Sequence, residues 1–276
     1  MYDIIASIVA FKNEKDILKK AIESFLRSDL KSYLYVVDNS PTDELRSVCV
    51  YEDVEYIFNG NNLGFGAGHN IAIRKMSERT KYSLVLNPDV YFDKGVLEEL
   101  FSFMEKNEKI GSVMPKVLYP DGLLQYLCRL LPTPVDLLLR KFNNKALNRW
   151  VNLITKYELR FADYTKTMDV PYLSGCFMFI RSDIFKKVGM FDERFFIYFE
   201  DVDLSRRIHM LYRTVYYPKA VIYHGYERGS NKDIGHFKCL VSSAVKYFNK
   251  WGWIFDGERK VINKKAVKNL HKVSLG

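Results

Sequence analysis

Apolar positions in the first hundred residues alternate between two patterns. Residues 3–11 (DIIASIVAF) form an unbroken apolar run of strand length. After it, Ile17, Leu18, Ala21, Ile22, Phe25 and Leu26 recur at the spacing of one helical face. Residues 33–40 (YLYVVDNS) predict a second strand ending in turn-forming residues, 54–59 (VEYIFN) a third, and 82–90 (YSLVLNPDV) a fourth, broken by Pro88. A Gly-rich turn and a helix from about Ala67 to Ser77 separate the last two, and residues 95–107 read as an amphipathic helix. This β-α-β-β-α-β-α order predicts an α/β domain with a single Rossmann-like, mostly parallel sheet flanked by helices. Ligands are then expected at the carboxyl ends of the strands. The turns there hold Asn13 and Glu14, Asp38 and Asn39, residues 59–64, and Asn87 to Asp89, so four polar clusters converge on one edge.

The second half is less regular. Residues 123–168 have weak periodicity with helical stretches and read as a variable, partly helical insertion, expected over the acceptor site. Residues 170–181 resume a buried strand. Ser182 is placed to cap a short helix that Gly189 ends. Residues 199–211 predict a helix with acidic residues in its first turn, where the macrodipole favours them. A strand over 214–224 and a helix over 235–253 precede a basic tail. The expected organisation is one domain over 1–230, then a C-terminal helix and tail over 231–276.

Composition narrows the class. At 276 residues, 48% hydrophobic and 27% charged, the chain suits a globular domain with a real core. Aromatic residues reach 15%; most are expected in the core, others against a base or sugar ring. The net charge of +9 is compatible with nucleic acid, an anionic membrane or a phosphorylated ligand. Its densest stretch is the tail, where Arg259, Lys260, Lys264, Lys265, Lys268 and Lys272 face only Glu258. Each such residue near an anionic leaflet is worth about 1 kcal/mol, so the tail is either a membrane-surface contact or a solvated, frayed terminus. No base-reading motif accompanies it, which argues against nucleic acid. Cys49, Cys128, Cys176 and Cys239 form no CxxC pair, hence neither a zinc site nor a disulfide framework, and a reducing cytosol fits. The N-terminal run reads as a strand and not a signal peptide, and no run of 18 apolar residues predicts a transmembrane helix.

Several motifs carry candidate chemistry. Asp89 in LNPDV follows a buried strand and a turn forced by Pro88. It could hold Mg2+ or Mn2+ on a diphosphate, or be a solvated turn residue. In NGNNLGFGAGHN (59–70), glycines before a helix would leave backbone N–H groups open to an anion, although the spacing fits neither a P-loop nor a dinucleotide fingerprint. In FFIYFEDVDLSRR, Glu200 and Asp203 share a helical face while Asp201 points elsewhere, free to act as a base. The alternative is helix-terminus electrostatics with a salt bridge to Arg206 or Arg207. His224 ends a strand and reads as a metal or phosphate ligand, or as a satisfied structural histidine. Arg228 and Ser230 after it would meet a phosphate or belong to a plain loop.

Taken in order, IVAFKNE, VVDNSPTD, NGNNLGFGAGHN, LNPDV, YLSGCFMFIRSDIFKKVGMFDERFFIYFEDVDLSRR and His224 resemble family 2 glycosyltransferases of the GT-A fold, especially the bacterial rhamnosyltransferase-like branch. The resemblance covers residues 3 to about 230. It implies metal-dependent, inverting transfer from a nucleotide sugar, with Mg2+ or Mn2+ as cofactor. Asp201 would be the base, with Glu200 contacting the acceptor or orienting it. Asp89 and His224 would hold the metal, and Asp38 would contact a pyrimidine base beside a wall at Phe11. Asn13, Glu14, Asn62, Gly64, Asn70, Asn87, Ser174 and Gly175 would complete the donor pocket. Asn87 replaces the first aspartate of a full DxD motif, so the metal would lean more on the diphosphate. The implied donor is dTDP-rhamnose, with UDP-galactose or UDP-glucose as alternatives, and the acceptor a growing polysaccharide or lipid-linked glycan at the inner face of the cytoplasmic membrane. A reading of a different class is a nucleotide-sugar-binding protein without transferase activity.

Overall fold

The computed structural model describes residues 1–76, 78–141, 148–225 and 234–273. Strand β1 (Tyr2–Ala10) lies inside the sheet and is buried on both faces, which is why it reads as a continuous apolar run. Ile4, Ala6, Ile8 and Ala10 enter one core with α1 (Lys15–Leu26) and α3 (Val96–Glu105). Ile5 enters the opposite core with α2 (Phe65–Met76), α6 (Phe185–Val188) and α7 (Glu200–Leu211). Strands β2 (Ser32–Asp38), β3 (Val54–Phe58) and β4 (Thr80–Leu86) run parallel to β1, in the order β3-β2-β1-β4.

Beyond β4 the order continues β8 (Phe177–Arg181), β6 (Ile110–Leu118), β9 (Arg213–His224) and β5 (Val90–Phe92), with the short β7 (Met168–Asp169) on β9. Strands β8, β5 and β7 are antiparallel to their neighbours, so the sheet is mixed and mostly parallel. The run expected as one strand over 82–90 is two. Pro88 cannot continue a central ladder, so β4 stops at Leu86 and the chain crosses to pair Val90 with His224 on β9. That crossover positions the site.

Two local expectations are corrected. Ser182 caps no helix; its hydroxyl bonds Ser83 Oγ at 2.8 Å, inside the sheet. The cradle expected of the glycines of 59–70 is partly filled, because α2 starts two residues early, at Phe65, and three N–H groups of the segment already have partners. Gly64 N donates to Asn62 Oδ1, Phe65 N to Phe196 O and Gly68 N to Gly64 O.

Residues 123–168 contribute α4 (Pro134–Lys141) and α5 (Asn148–Tyr157). Helices α8 (Ile234–Trp251) and α9 (Gly257–Val273) follow, so the described part of the tail is a packed helix. Tyr247 and Phe248 pack with Phe199 and Val202 of the α7 region, and Ala266 and Leu270 enter the main core. Polar contacts reinforce this. Arg206 of α7, 1% exposed, makes a bidentate pair with Asp256 at 2.6 and 2.8 Å and lies 4.0 Å from the Trp251 ring centroid. Removing one partner strands a buried charge, so Asp256→Ala is expected to cost about 3–5 kcal/mol in urea unfolding.

Candidate active site

The carboxyl ends of β1 and β2 are stitched together. Lys12 N donates to Ser40 Oγ at 2.8 Å, Asn39 N to Ala10 O, and Phe11 N to Asn13 Oδ1 at 2.9 Å. Phe11 remains 44% exposed, free to meet a ring. Asn13 and Glu14 line a cavity of about 390 Å³ with Lys12, Lys15, Ser40 and Thr42. Asp38, at the end of β2, is fully buried, and its carboxylate accepts from Tyr56 Oη at 2.5 Å and Ser40 N at 2.8 Å. Burial, then the bond to Asp38, pushes the Tyr56 hydroxyl pKa up.

Asn62, Gly64 and Asn70 lie around the first turns of α2. Gly64 is left-handed (φ +83°), and a Cβ there would sit 2.1 Å from Phe196 O, so only glycine fits. Asn39 Nδ2 donates to Gly64 O at 3.1 Å. Asn70 is buried and uses its amide on Phe191 O, Phe191 N and Glu193 Oε1, which ties α2 to the loop before α7.

The β4–β5 crossover brings three predicted residues together. Pairing of Val90 with His224 sets Asp89 Oδ1 3.4 Å from His224 Nε2, and Asn87 Nδ2 lies 3.3 Å from the same nitrogen. Gly225 N donates to Asp89 O at 2.9 Å and holds the turn. Gln125, buried in the segment read as an insertion, grips His224 twice. Its Nε2 donates to His224 O at 2.8 Å, and its Oε1 lies 3.0 Å from Nδ1. An amide oxygen only accepts, so Nδ1 carries a proton there, and Nε2 is the nitrogen turned to Asp89 and Asn87. Among the described residues no cluster of three His, Cys, Asp or Glu could hold a metal. One carboxylate and one oriented imidazole nitrogen still fit a divalent cation whose other ligands come from a diphosphate, and the mixed set suits Mn2+ better than Mg2+.

Cys176 links this corner to the acidic helix. Asn87 N donates to Cys176 O, and the Cys176 thiol, pushed up to about 12 chiefly by burial, is also raised by Asp89 and by Asp201. Gly175 N donates to Asp201 Oδ2 at 2.9 Å, Tyr172 Oη to the same oxygen at 2.9 Å, and Val202 N to Oδ1 at 2.8 Å. A Cβ on residue 175 would lie 3.0 Å from the Asp201 Cβ, so glycine permits this approach. Ser174 Oγ accepts weakly from Cys176 N at 3.5 Å. Burial raises the Asp201 pKa above the usual carboxylate value, while Gly175 N–H and Tyr172 hold it down.

Glu200 contrasts with its neighbour. It is 4% exposed, and its Oε2 has no hydrogen-bond partner among the described residues. Burial first, then the Asp201 charge, raise its pKa well above the ordinary carboxylate value. Tyr198 and Phe199 both adopt left-handed φ values (69° and 70°), a costly backbone for such residues, immediately before this pair. As the helical spacing predicts, Asp201 and Asp203 face different partners. Asp203 bonds Arg207 at 2.9 Å, Trp251 Nε1 at 2.8 Å and Lys250 at 2.7 Å, so the salt-bridge alternative holds for Asp203 and not for Asp201.

Sequence reasoning missed Tyr172, Gln125, Tyr56 and Arg129, whose guanidinium carbon lies 5.8 Å from the Tyr172 ring centroid. Tyr172 had a signal, standing just before the polar Ser174-Gly175 break in an apolar run; Gln125 had none. Arg228 and Ser230 lie outside the described residues.

The fold and this site meet in one class. Residues 7–189 match the model of glycosyl transferase family 2, and the chain belongs to that family. It is 28% identical over 207 residues to the low-salt glycan biosynthesis hexosyltransferase Agl10 of Haloferax volcanii, covering 74% of this chain and 61% of that protein. It is 28% identical over 216 residues to the N-acetylglucosaminyl-diphospho-decaprenol L-rhamnosyltransferase of Mycobacterium tuberculosis (72% and 68% covered). It is 27% identical over 251 residues to the rhamnosyltransferase WbbL of Escherichia coli (87% and 90% covered). Among solved structures, GalNAc-T7 with UDP, GalNAc and Mn2+ superposes with a TM-score of 0.64 at 14% identity, over 90% of this chain and 48% of that one. The mannosyltransferase PcManGT of Pyrobaculum calidifontis, with GDP-Man and Mn2+, gives 0.59 at 15% identity, over 90% and 64%. The fold is therefore that of the GT-A glycosyltransferases, and the chain spans less than two thirds of the Haloferax relative's length.

Proposed function

We propose that this chain transfers a sugar, with inversion, from a nucleoside-diphosphate sugar to a hydroxyl of a growing lipid-linked glycan. The observation that carries the reading is the pairing of two corners through Cys176 and Gly175: Asp89 with His224 on one side, Asp201 with Tyr172 on the other. When bound there, a divalent cation supplies neutralisation of charge on the departing diphosphate. Asp89 and His224 would hold it, with Asn87 beside them, and Gln125 would keep His224 oriented for that role. Asp201 takes the proton of the acceptor hydroxyl as its oxygen bonds the anomeric carbon and the bond to the diphosphate breaks on the opposite face. Glu200 beside it contacts the acceptor or orients the base. The nucleoside lies along the β1–β2 edge, against Phe11, Asn13 and Glu14. Asp38, buried and bonded to Tyr56 and Ser40, braces the end of β2 beside which the base would lie.

The names of two relatives support rhamnose as the sugar, and one of them a lipid-diphosphate acceptor; with rhamnose, dTDP is the carrier that the sequence resemblance implies. The hexosyltransferase relative and the UDP-bound neighbour favour a UDP-hexose as the second reading. Among the described residues no helix is long and apolar enough to cross a membrane. The exposed lysines of α9 support attachment at the inner membrane surface, where such acceptors are presented. A panel of nucleotide sugars with Mn2+ tests the reading: one donor should raise the melting temperature and release its nucleoside diphosphate, and a chain that neither binds nor cleaves any of them sinks it.

Loss of a residue that supports a metal ligand typically costs about 10–100-fold in metal affinity. Gln125→Leu should weaken Mn2+ binding by that order in calorimetry with nucleoside diphosphate present; unchanged affinity removes Gln125 from this role.

A further inference from the structure

Where α8 meets α9, the chain presents apolar side chains to solvent. Phe255 is 95% exposed, Ile254 79% and Trp253 44%, three consecutive residues. This is not a loose end. After the turn at Gly252, Trp253 Nε1 donates to Asn249 Oδ1 at 2.8 Å and its ring packs 5.2 Å from that of Phe248. On the other side, Asp256 is locked into the buried pair with Arg206, and Arg259 N donates to Asp256 Oδ1 at 2.9 Å. With both flanks fixed, Ile254 and Phe255 are held outwards. The feature also extends along α8, where Phe237, Val241 and Val245 are exposed at four-residue spacing, with Asn249 next in the same row. On α9 the exposed face carries Lys260, Lys264, Lys265 and Lys268 around Val261, which is 67% exposed. An apolar tip beside a basic helical face is the pairing that enters the headgroup region of an anionic bilayer.

We propose that the α8–α9 turn is a membrane wedge, with Trp253, Ile254 and Phe255 entering the interface of an anionic lipid bilayer while the α9 lysines meet its headgroups. The proposal rests on the membrane-surface reading above and sharpens it, by making attachment partly hydrophobic and not electrostatic alone. The turn is tied through Asp256 and Arg206 to α7, the helix that opens with Glu200 and Asp201. Insertion therefore fixes the site's orientation to the surface that presents the acceptor.

The test is co-sedimentation of the full chain with vesicles of phosphatidylcholine, alone and mixed with phosphatidylglycerol, at low and high salt. The wild-type chain should bind the anionic vesicles and keep part of that binding at high salt. Burying two such side chains changes partitioning by about tenfold or more, so the Ile254→Ser/Phe255→Ser double variant should lose at least that. Both residues are exposed, so its melting temperature should match wild type. Independently of any double variant, bromine on the acyl chains should quench tryptophan emission, and the quenching should vanish in Trp253→Phe. Salt-sensitive binding that the double variant keeps in full, with no bromine quenching, overturns the wedge and leaves electrostatic attachment. Absence of binding to either vesicle overturns both, as does a concentration-dependent dimer that the double variant abolishes.

Discussion

Asp201→Asn is expected to lower kcat by about 10²–10⁴-fold, the usual contribution of a positioned general base, with donor affinity unchanged. The size follows from how the carboxylate is held. Three donors, Tyr172 Oη, Gly175 N and Val202 N, fix it in one orientation, and burial raises its pKa towards that of a useful base. Asparagine keeps the shape and loses the ability to take a proton. The sign of the pH dependence follows as well. A base works when ionised, so activity should rise with pH through a value above the ordinary carboxylate range. Tyr172 holds that value down, so Tyr172→Phe should move the acid limb of the kcat profile to higher pH; an unmoved limb would detach Tyr172 from the base.

The second large effect is at Asp89. It supplies the carboxylate beside His224, and Asn87 adds no charge, so few protein ligands share the load. Asp89→Ala should weaken Mn2+ binding by more than the about 10–100-fold expected for a supporting residue such as Gln125. Chelation should abolish turnover in wild type, and Mn2+ should restore it. Full turnover in chelator would remove Asp89 and His224 from that role.

The sheet was legible where its strands are buried on both faces, because an unbroken apolar run leaves little else for β1, β2 and β4 to be. It was illegible at its far edge. Strand β5 has three residues and exists only because β9 is there to pair with, so no local pattern announces it. The tail shows a signal present but outweighed. Ile262, Ala266 and Leu270 recur every four residues and mark a packed face, under a run of lysines that suggested a solvated end. At the site, residues lying in recognisable strand-end turns were found, whereas Gln125 acts across 99 positions of sequence on a histidine whose own position was visible. Asn70 shows the converse: it was read as a pocket residue, yet its amide is spent on the loop at 191–193. Sequence distinguished polar from apolar there, and only packing could say which way the polar group faced.

The most direct test of the account is nucleoside diphosphate release from a panel of nucleotide sugars, with Mn2+ and a lipid-diphosphate acceptor, for wild type beside Asp201→Asn. The account predicts acceptor-dependent release from one donor in wild type and its near loss in the folded variant. Release from none of the donors, or a variant keeping more than a small fraction of wild-type turnover, would contradict it.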